Sequence, residues 1–266
     1  MLGPVDFTAF LIIALVFIPL EYLFPARRQQ KFFRKNWLND LATMLANAVV
    51  ITFGLIATTA VMGALIRLAV PAEFFASVRA QPLWLQVIEV LVLADLGFYL
   101  AHRAFHAVPF LWRFHAVHHS IEELDWLAAF RVHPVDQILT KSASFLPILL
   151  LGFSDAAILI FAVIYKWQSI AIHSNNRIAL GPLEYLFASP HFHHWHHANE
   201  PAAIDKNFAG QLPFLDWAFG TLHMPKSMPE VYGTNDPVPL RYDQQLIYPF
   251  SAPPPPVQVP VTTGRQ

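Results

Sequence analysis

The chain has 266 residues, 55% of them hydrophobic and 13% charged, with a formal net charge of −1 and no cysteine. So little charge marks a membrane protein rather than a soluble domain, and the neutral balance removes the electrostatic basis for binding nucleic acid. Without a thiol, disulfides, thiolate metal sites and iron–sulfur clusters are excluded, so any metal must be held by nitrogen and oxygen.

Residues 7–24 form an apolar run, interrupted near its end by Pro19 and Glu21 and long enough to cross ~30 Å of hydrocarbon. No basic region precedes it and no small-residue cleavage site follows, so it reads as a retained span. A basic loop follows, with Arg27, Arg28, Lys31, Arg34 and Lys35. Residues 41–66 carry no charge and make a second span; the segment after it, 67–82, holds only Arg67 and Arg79 against Glu73. The charge asymmetry puts the basic loop in the cytoplasm and the N-terminus outside. A third span, 83–101, returns the chain, so His102 emerges at the cytoplasmic face.

Residues 143–172 are apolar with a break at 151–155. A single helix would run about 45 Å and carry His173 to the far side of the membrane. If His173 shares a metal with the other histidines, the stretch is a helical hairpin turning at 152–155. Otherwise it is a fourth full span. From 181 onward the chain is amphipathic and turn-rich, a cytoplasmic cap whose segment 207–225 has an interfacial aromatic content. The fold expected is all-α and integral to the membrane: three transmembrane helices plus a hairpin, with a histidine-rich cytoplasmic cap. Residues 1–248 form one domain, and 249–266 a disordered proline-rich tail.

The cap contains SPHFHHWHHAN at 189–199, where His193, His196 and His197 share one face of a helix. Upstream, His102 and His106 are spaced i, i+4; His115, His118 and His119 repeat the i, i+3, i+4 set; His173 stands alone. Separate clusters at helical spacing are not incidental low complexity. Nine such histidines are too many for one metal and suit two. His191, His194 and His223 are assigned no ligand role. Imidazole serves zinc, copper, iron and nickel alike, but zinc takes three or four ligands. Two metals with four or five nitrogens each and open positions suit a redox pair that binds dioxygen. The alternatives are a zinc-dependent membrane hydrolase, disfavoured by the absence of H-E-x-x-H, and a non-redox metal-binding membrane protein. Asp95, Tyr99, His102 and His106 fall on one helical stripe. A carboxylate within a span is costly and usually functional, and its natural partner is the outer ring N–H of a ligating histidine. Phe98, Trp112, Phe130 and Trp195 are candidates to line the site.

The run DLGFYLAHRAFH, then HAVHHSIEELDWLAAFRVHPVD, then His173, then GPLEYLFASPHFHHWHH with DKNFAG and PFLDWAFGT, resembles the fatty acid hydroxylase/sterol desaturase superfamily. Compact bacterial-type members and the alkylglycerol monooxygenase branch are the most similar. The resemblance covers about residues 95–225. It implies a membrane di-iron oxygenase that uses O2 to hydroxylate or desaturate a lipid. The implied ligands are His102, His106, His115, His118, His119, His173, His193, His196 and His197. His133 matches the motif from outside the ligand set. The third motif holds one histidine where some relatives have a pair, so Asn175, Asn176 or a water would complete the shell. The chain carries no electron-transfer domain, which implies a separate donor, a b-type cytochrome or a ferredoxin with its reductase. The substrate is a lipid entering from the bilayer. The location implied is a bacterial inner membrane rather than endoplasmic reticulum, with the active site on the cytoplasmic side.

Overall fold

Hydrophobic runs of this length can satisfy their own backbone only as helices. The structure, a computed structural model describing residues 7–251, has no named strand among the described residues. In chain order the first helices are α1 (Phe7–Leu23), α2 (Trp37–Ala69), α3 (Ala72–Arg79) and α4 (Leu83–Ala107). Among the described residues, α2 and α4 are long and apolar enough to cross a membrane, and α1 is a shorter apolar helix. Val50, Phe53, Ile56, Val61, Leu65 and Leu68 of α2 are all exposed, a continuous apolar surface matched to hydrocarbon rather than to water.

The centre of the fold is α4. Gly97 lets α6 (Pro134–Leu151) press against it, since a Cβ there would lie 2.3 Å from the Ala143 carbonyl oxygen. Pro109 ends α4, because the residue before a proline is driven out of the helical region. Val108 is extended, and Pro109 opens α5 (Pro109–His119). That corner folds the second histidine group back over the first. After α6, Gly152 adopts a left-handed φ of 69°, and the Ser154 hydroxyl accepts from the Ala157 N–H to start α7 (Asp155–Ala171). Thus α6 leaves the histidine region beside Asp136 and α7 returns to it at His173, as the hairpin requires. Val90, Ala94, Ile148, Phe153, Ala157 and Phe161 form the apolar core joining α4, α6 and α7.

The remaining helices are short: α8 (Pro190–His196), α9 (Phe214–Ala218) and α10 (Tyr242–Ile247). Beyond Tyr248 the chain still packs: Pro249 is buried and the Phe250 ring lies 5.5 Å from that of Phe114. The rest of the segment expected as a tail, from 252, lies outside the described residues.

The basic loop is less free than its composition implies. Arg34 is buried, donating to Asp40 at 2.5 Å and to Asp125 at 2.7 Å, and Arg131 donates to both oxygens of the same Asp40. Arg27 donates to the carbonyls of Pro229 and Glu230 and lies 4.0 Å over the Tyr232 ring. Arg27 therefore braces the cap, and Arg34 ties the loop to α2 and to the segment at Asp125.

Candidate metal centre

The histidines reach one another through three short helical pieces. α4 supplies His102 and His106 from its last turns, and α5 turns back to bring His115, His118 and His119. α8, capped by the Ser189 hydroxyl on the Phe192 N–H, presents His193, His196 and its C-cap residue His197. His173 follows the last turn of α7.

These nine residues separate into two groups, each with ligand atoms within 4.8 Å of one another: His102, His106, His115, His119 and His196, and then His118, His173, His193 and His197. The division cuts through both H-x-x-H-H motifs. Adjacent helical residues diverge by 100°, so His118 and His119 point apart, and His196 likewise leaves His193 and His197. In the first group Nε2 of His102 lies 2.9 Å from that of His115, and Nε2 of His119 lies 3.0 Å from that of His196. In the second, His118 to His173 is 3.1 Å, His173 to His193 is 3.0 Å and His193 to His197 is 3.1 Å, all between Nε2 atoms. Among the described residues, the buried Nε2 of His106 has no hydrogen-bond partner.

These nitrogens fit a metal pair. Imidazoles facing one another nitrogen to nitrogen gain little unless a cation lies between them. With metal–nitrogen bonds of about 2.1 Å, right-angle ligands sit about 3.0 Å apart and tetrahedral ones about 3.4 Å. Five Nε2 pairs lie 2.9–3.1 Å apart and the ligand atoms of each group fall within 4.8 Å of one another, as nitrogens converging on one ion would.

Six of the nine outer ring nitrogens are held from behind, whereas among the described residues Nδ1 of His193 and of His197 are buried without a hydrogen-bond partner. Nδ1 of His102 donates to the Phe208 carbonyl at 2.7 Å, that of His118 to Arg131 at 2.9 Å, that of His196 to Lys206 at 2.8 Å and that of His173 to Ser169 at 2.7 Å. Two carboxylates do the same: Asp136 accepts from His115 Nδ1 at 2.8 Å and Asp205 from His106 Nδ1 at 3.2 Å. Such bonds fix the tautomer with Nε2 as the free donor atom. Burial first, and the neighbouring imidazoles next, hold His115, His119, His193, His196 and His197 well below the ordinary imidazole value, and burial brings His118 to about 4. The unfolded chain takes up protons near pH 6.5 that the folded one excludes. Stability is thus present above that value and lost below it. The metal-free protein should therefore melt at a lower temperature at about pH 5.5 than at about pH 7.5; an unchanged melting temperature would refute this.

Asp95 works differently from the sequence expectation. Seven residues of helix separate it from His102 by about 10 Å, too far for a direct bond. Its oxygens instead accept the backbone N–H groups of Gly210 and Leu212 at 2.9 and 2.8 Å and that of Gln211 at 3.1 Å. It thereby fixes the loop whose Phe208 carbonyl holds His102. Asp216 completes this arrangement by accepting from the N–H groups of Phe208 and Ala209. Asp95→Asn should cost about 1–3 kcal/mol, because its amide turns a donor toward a backbone donor. Melting temperature and iron per chain check this, and an Asn variant indistinguishable from wild type would refute it.

Other expected residues also sit apart from the ligand atoms. The Tyr99 hydroxyl pairs with Thr221 at 2.9 Å, and Thr221 in turn donates to Asp216. His133 caps α6, accepting from the Val135 N–H and donating to the Leu246 carbonyl. Asn175 has both ends of its amide on the Arg27 backbone, and the Asn176 amide bonds Ser174 and the Ile178 N–H. Those bonds tie down loops, so neither asparagine turns its amide to the metal groups. His194 bridges Tyr232 and the Ser174 carbonyl, and His191 the Pro225 carbonyl and Glu184. Of the four aromatic candidates, Phe98 lines the cleft beside the clusters, and the Trp112 ring packs on those of His106 and His119 at 5.0 and 5.3 Å while its N–H donates to Asp236; Trp195 donates to the Ser227 carbonyl, and Phe130 packs with α1 and α2. Sequence reasoning missed Asp136, Asp205 and Asp216. Each lies inside a quoted motif, and a carboxylate three residues past His133 was the available signal for the first.

A family profile for fatty acid hydroxylases matches residues 87–221, just over half of the chain and a span containing all nine histidines. The chain belongs to the fatty acid hydroxylase family. The curated relatives include ornithine lipid hydroxylase OlsE of Rhizobium tropici, 33% identical over 171 residues, which cover 64% of this chain and 52% of the relative. Alkylglycerol monooxygenase of Danio rerio is 37% identical over 146 residues, 54% of this chain and 32% of that one, and the Homo sapiens protein is 36% identical over the same length and shares. The chain thus spans about half the length of the first relative and about a third of the other two. No solved structure matches the chain.

Proposed function

We propose that this member of the fatty acid hydroxylase family is a membrane-embedded di-iron oxygenase that hydroxylates or desaturates an unactivated C–H bond of a lipid. The observation that carries this reading is the division of nine buried imidazoles into a group of five and a group of four. A zinc site takes three or four ligands and needs no such supply.

His102, His106, His115, His119 and His196 would hold one iron, and His118, His173, His193 and His197 the other. Bound there, an iron pair would supply the reduction of dioxygen by two external electrons and two protons: in hydroxylation one oxygen atom would enter the C–H bond and the other leave as water, and in desaturation two substrate hydrogens would be lost and both oxygen atoms leave as water. The chain's own residues provide position and dryness. Asp136 and Asp205 orient two rings, Asp95 and Asp216 hold the loop behind a third, and Phe98 and Ile172 help wall the adjacent cleft. In this reading α1, α2 and α4 span the bilayer, the α6–α7 hairpin enters it, and the histidine cap faces the cytoplasm of a bacterial cell. The lipid enters laterally, and electrons come from a b-type cytochrome or a ferredoxin with its reductase.

The test is metal analysis of the purified protein, joined to lipid analysis of cells with and without the chain. About two irons per chain and an oxygen-dependent lipid product are expected. Stoichiometric zinc with no such product would overturn the proposal.

A further inference from the structure

A surface cleft of about 440 Å³ lies in the histidine cap and shares no lining residue with the cleft walled by Phe98 and Ile172. Ser120 and Asn199, which line it, come just after the motifs that end at His119 and His197. Another wall is built from the segment between Glu230 and Leu240. There Asp236 is fixed in place: its Oδ2 accepts from the Thr234 hydroxyl at 2.9 Å, and its N–H donates to that hydroxyl at 3.2 Å. The same Oδ2 accepts the indole N–H of Trp112 at 2.7 Å, a charge-assisted bond that pins the ring.

Trp112 is half-buried and stands between this wall and the group of five histidines. Its ring lies 5.0 Å from that of His106 and 5.3 Å from that of His119, tilted by 56° and 42°. Among the described residues, the other aromatic side chains in ring contact with the nine, histidines aside, are Phe98, Phe105 and Phe208. Phe105 and Phe208 are each 2% exposed, and Phe98 lines the other cleft. Of these rings, Trp112 is the one tied to the surface cleft. Beyond it the contacts continue, because the His119 ring stacks on that of His197, in the group of four, at 4.7 Å and 28°.

Buried histidines keep an electron carrier's own centre at a distance, so an electron must cross the wall between them. Tunnelling weakens steeply with the width of such a gap, and a conjugated ring in contact with the ligands narrows it. Electron-transfer encounters bury little surface, so a cleft of this size is enough to seat one. We infer that Trp112 is the residue through which electrons enter, from a one-electron carrier protein docked at this cleft. This rests on the oxygenase reading and gives its electron donor a landing site. Each encounter moves one electron: the carrier's reduced centre is oxidised, one ferric ion becomes ferrous, and Trp112 ends with its electrons and its N–H proton unchanged. Two encounters supply the two electrons of a turnover.

The chain has no cysteine, so Val231→Cys gives a unique attachment point for a ruthenium photoreductant; Val231 lines the cleft and is 51% exposed. In the full-length, iron-loaded protein without oxygen, a flash should reduce ferric iron, followed by the paramagnetic signal of the mixed-valence pair. Adding Trp112→Leu should slow that step by about 10–100-fold, the range for losing a group behind metal ligands, and Trp112→Phe, which keeps a ring, should slow it less. Both variants should keep their iron, its paramagnetic signal and full reduction by dithionite, none of which a merely structural role would spare. In cells that naturally make the chain, Val231→Trp, which fills the cleft, should lower lipid product several-fold with iron in the purified protein unchanged. A wild-type flash rate in Trp112→Leu, no flash reduction in the labelled parent, or wild-type product from Val231→Trp overturns this inference and leaves the oxygenase standing. Iron loss in both Trp112 variants makes the residue a structural support and overturns its role; if only Trp112→Leu loses iron, the rate in Trp112→Phe decides. A parent protein that binds no iron overturns the oxygenase reading itself.

Discussion

Asp40→Ala should lower the melting temperature of the purified protein by on the order of 10 °C and release iron from the group that contains His118. Asp40 is fully buried and receives both Arg34 and Arg131, while Asp125 shares Arg34. The four charges balance. Without Asp40, two buried guanidinium groups face a single carboxylate, and breaking a buried pair in this way costs about 3–5 kcal/mol. For a chain of this size each kcal/mol lowers the melting temperature by about 2–4 °C. The second consequence is local. The Arg131 carbonyl accepts from His118 Nδ1 at 2.9 Å, so a displaced Arg131 lets that ring turn. The exposed pair of Lys35 and Glu122, 3.0 Å apart, is the control, and Lys35→Ala should have no measurable effect. If Asp40→Ala and Lys35→Ala melted alike, the network would not be bracing the fold.

That network also marks where reading the sequence reached its limit. The apolar runs foretold α1, α2 and α4, because these are local signals, whereas the turn at 152–155 between α6 and α7 was reached only on the assumption that His173 shares a metal with the other histidines. Eight of the nine histidines were legible for the same reason, helical spacing within each motif, whereas His173 stands alone and entered through the family resemblance. What spacing within a motif cannot supply is a partner from elsewhere in the chain. Arg34 counted as a cytoplasmic charge until Asp125 was seen beside it. Asp95 invited a histidine partner on its own helix, whereas its ligands are the N–H groups of a loop 115 to 117 residues away. Asp136 lay in a motif already quoted, but its pairing with His115 depends on how α6 starts against α5.

His118→Ala and His196→Ala should each abolish product formation, yet they should strip different irons. In sequence His118 neighbours His119, and His196 neighbours His197, so adjacency alone would assign each residue to its neighbour's metal. In the folded chain His118 belongs with His173, His193 and His197, and His196 with His102, His106, His115 and His119. His118→Ala leaves three nitrogens in the smaller group and five in the larger; His196→Ala leaves four in each. The smaller group after His118→Ala is therefore the most depleted, and His118→Ala should lose more iron than His196→Ala. Losing an outer partner of a ligand already costs about 10–100-fold in affinity or activity, so losing the ligand itself should exceed about 100-fold in turnover. His191→Ala should retain iron and activity, since that ring bonds only Glu184 and the carbonyls of Pro225 and Ser227. Iron per chain and a spectrum of the remaining metal, measured for the three variants, decide the matter. The double variant His118→Ala/His173→Ala should resemble His118→Ala in residual iron, because both changes empty one group, whereas His118→Ala/His196→Ala draws on both groups and should lose more than either single variant. Equal iron loss in the two doubles would mean that the nine imidazoles do not divide five and four.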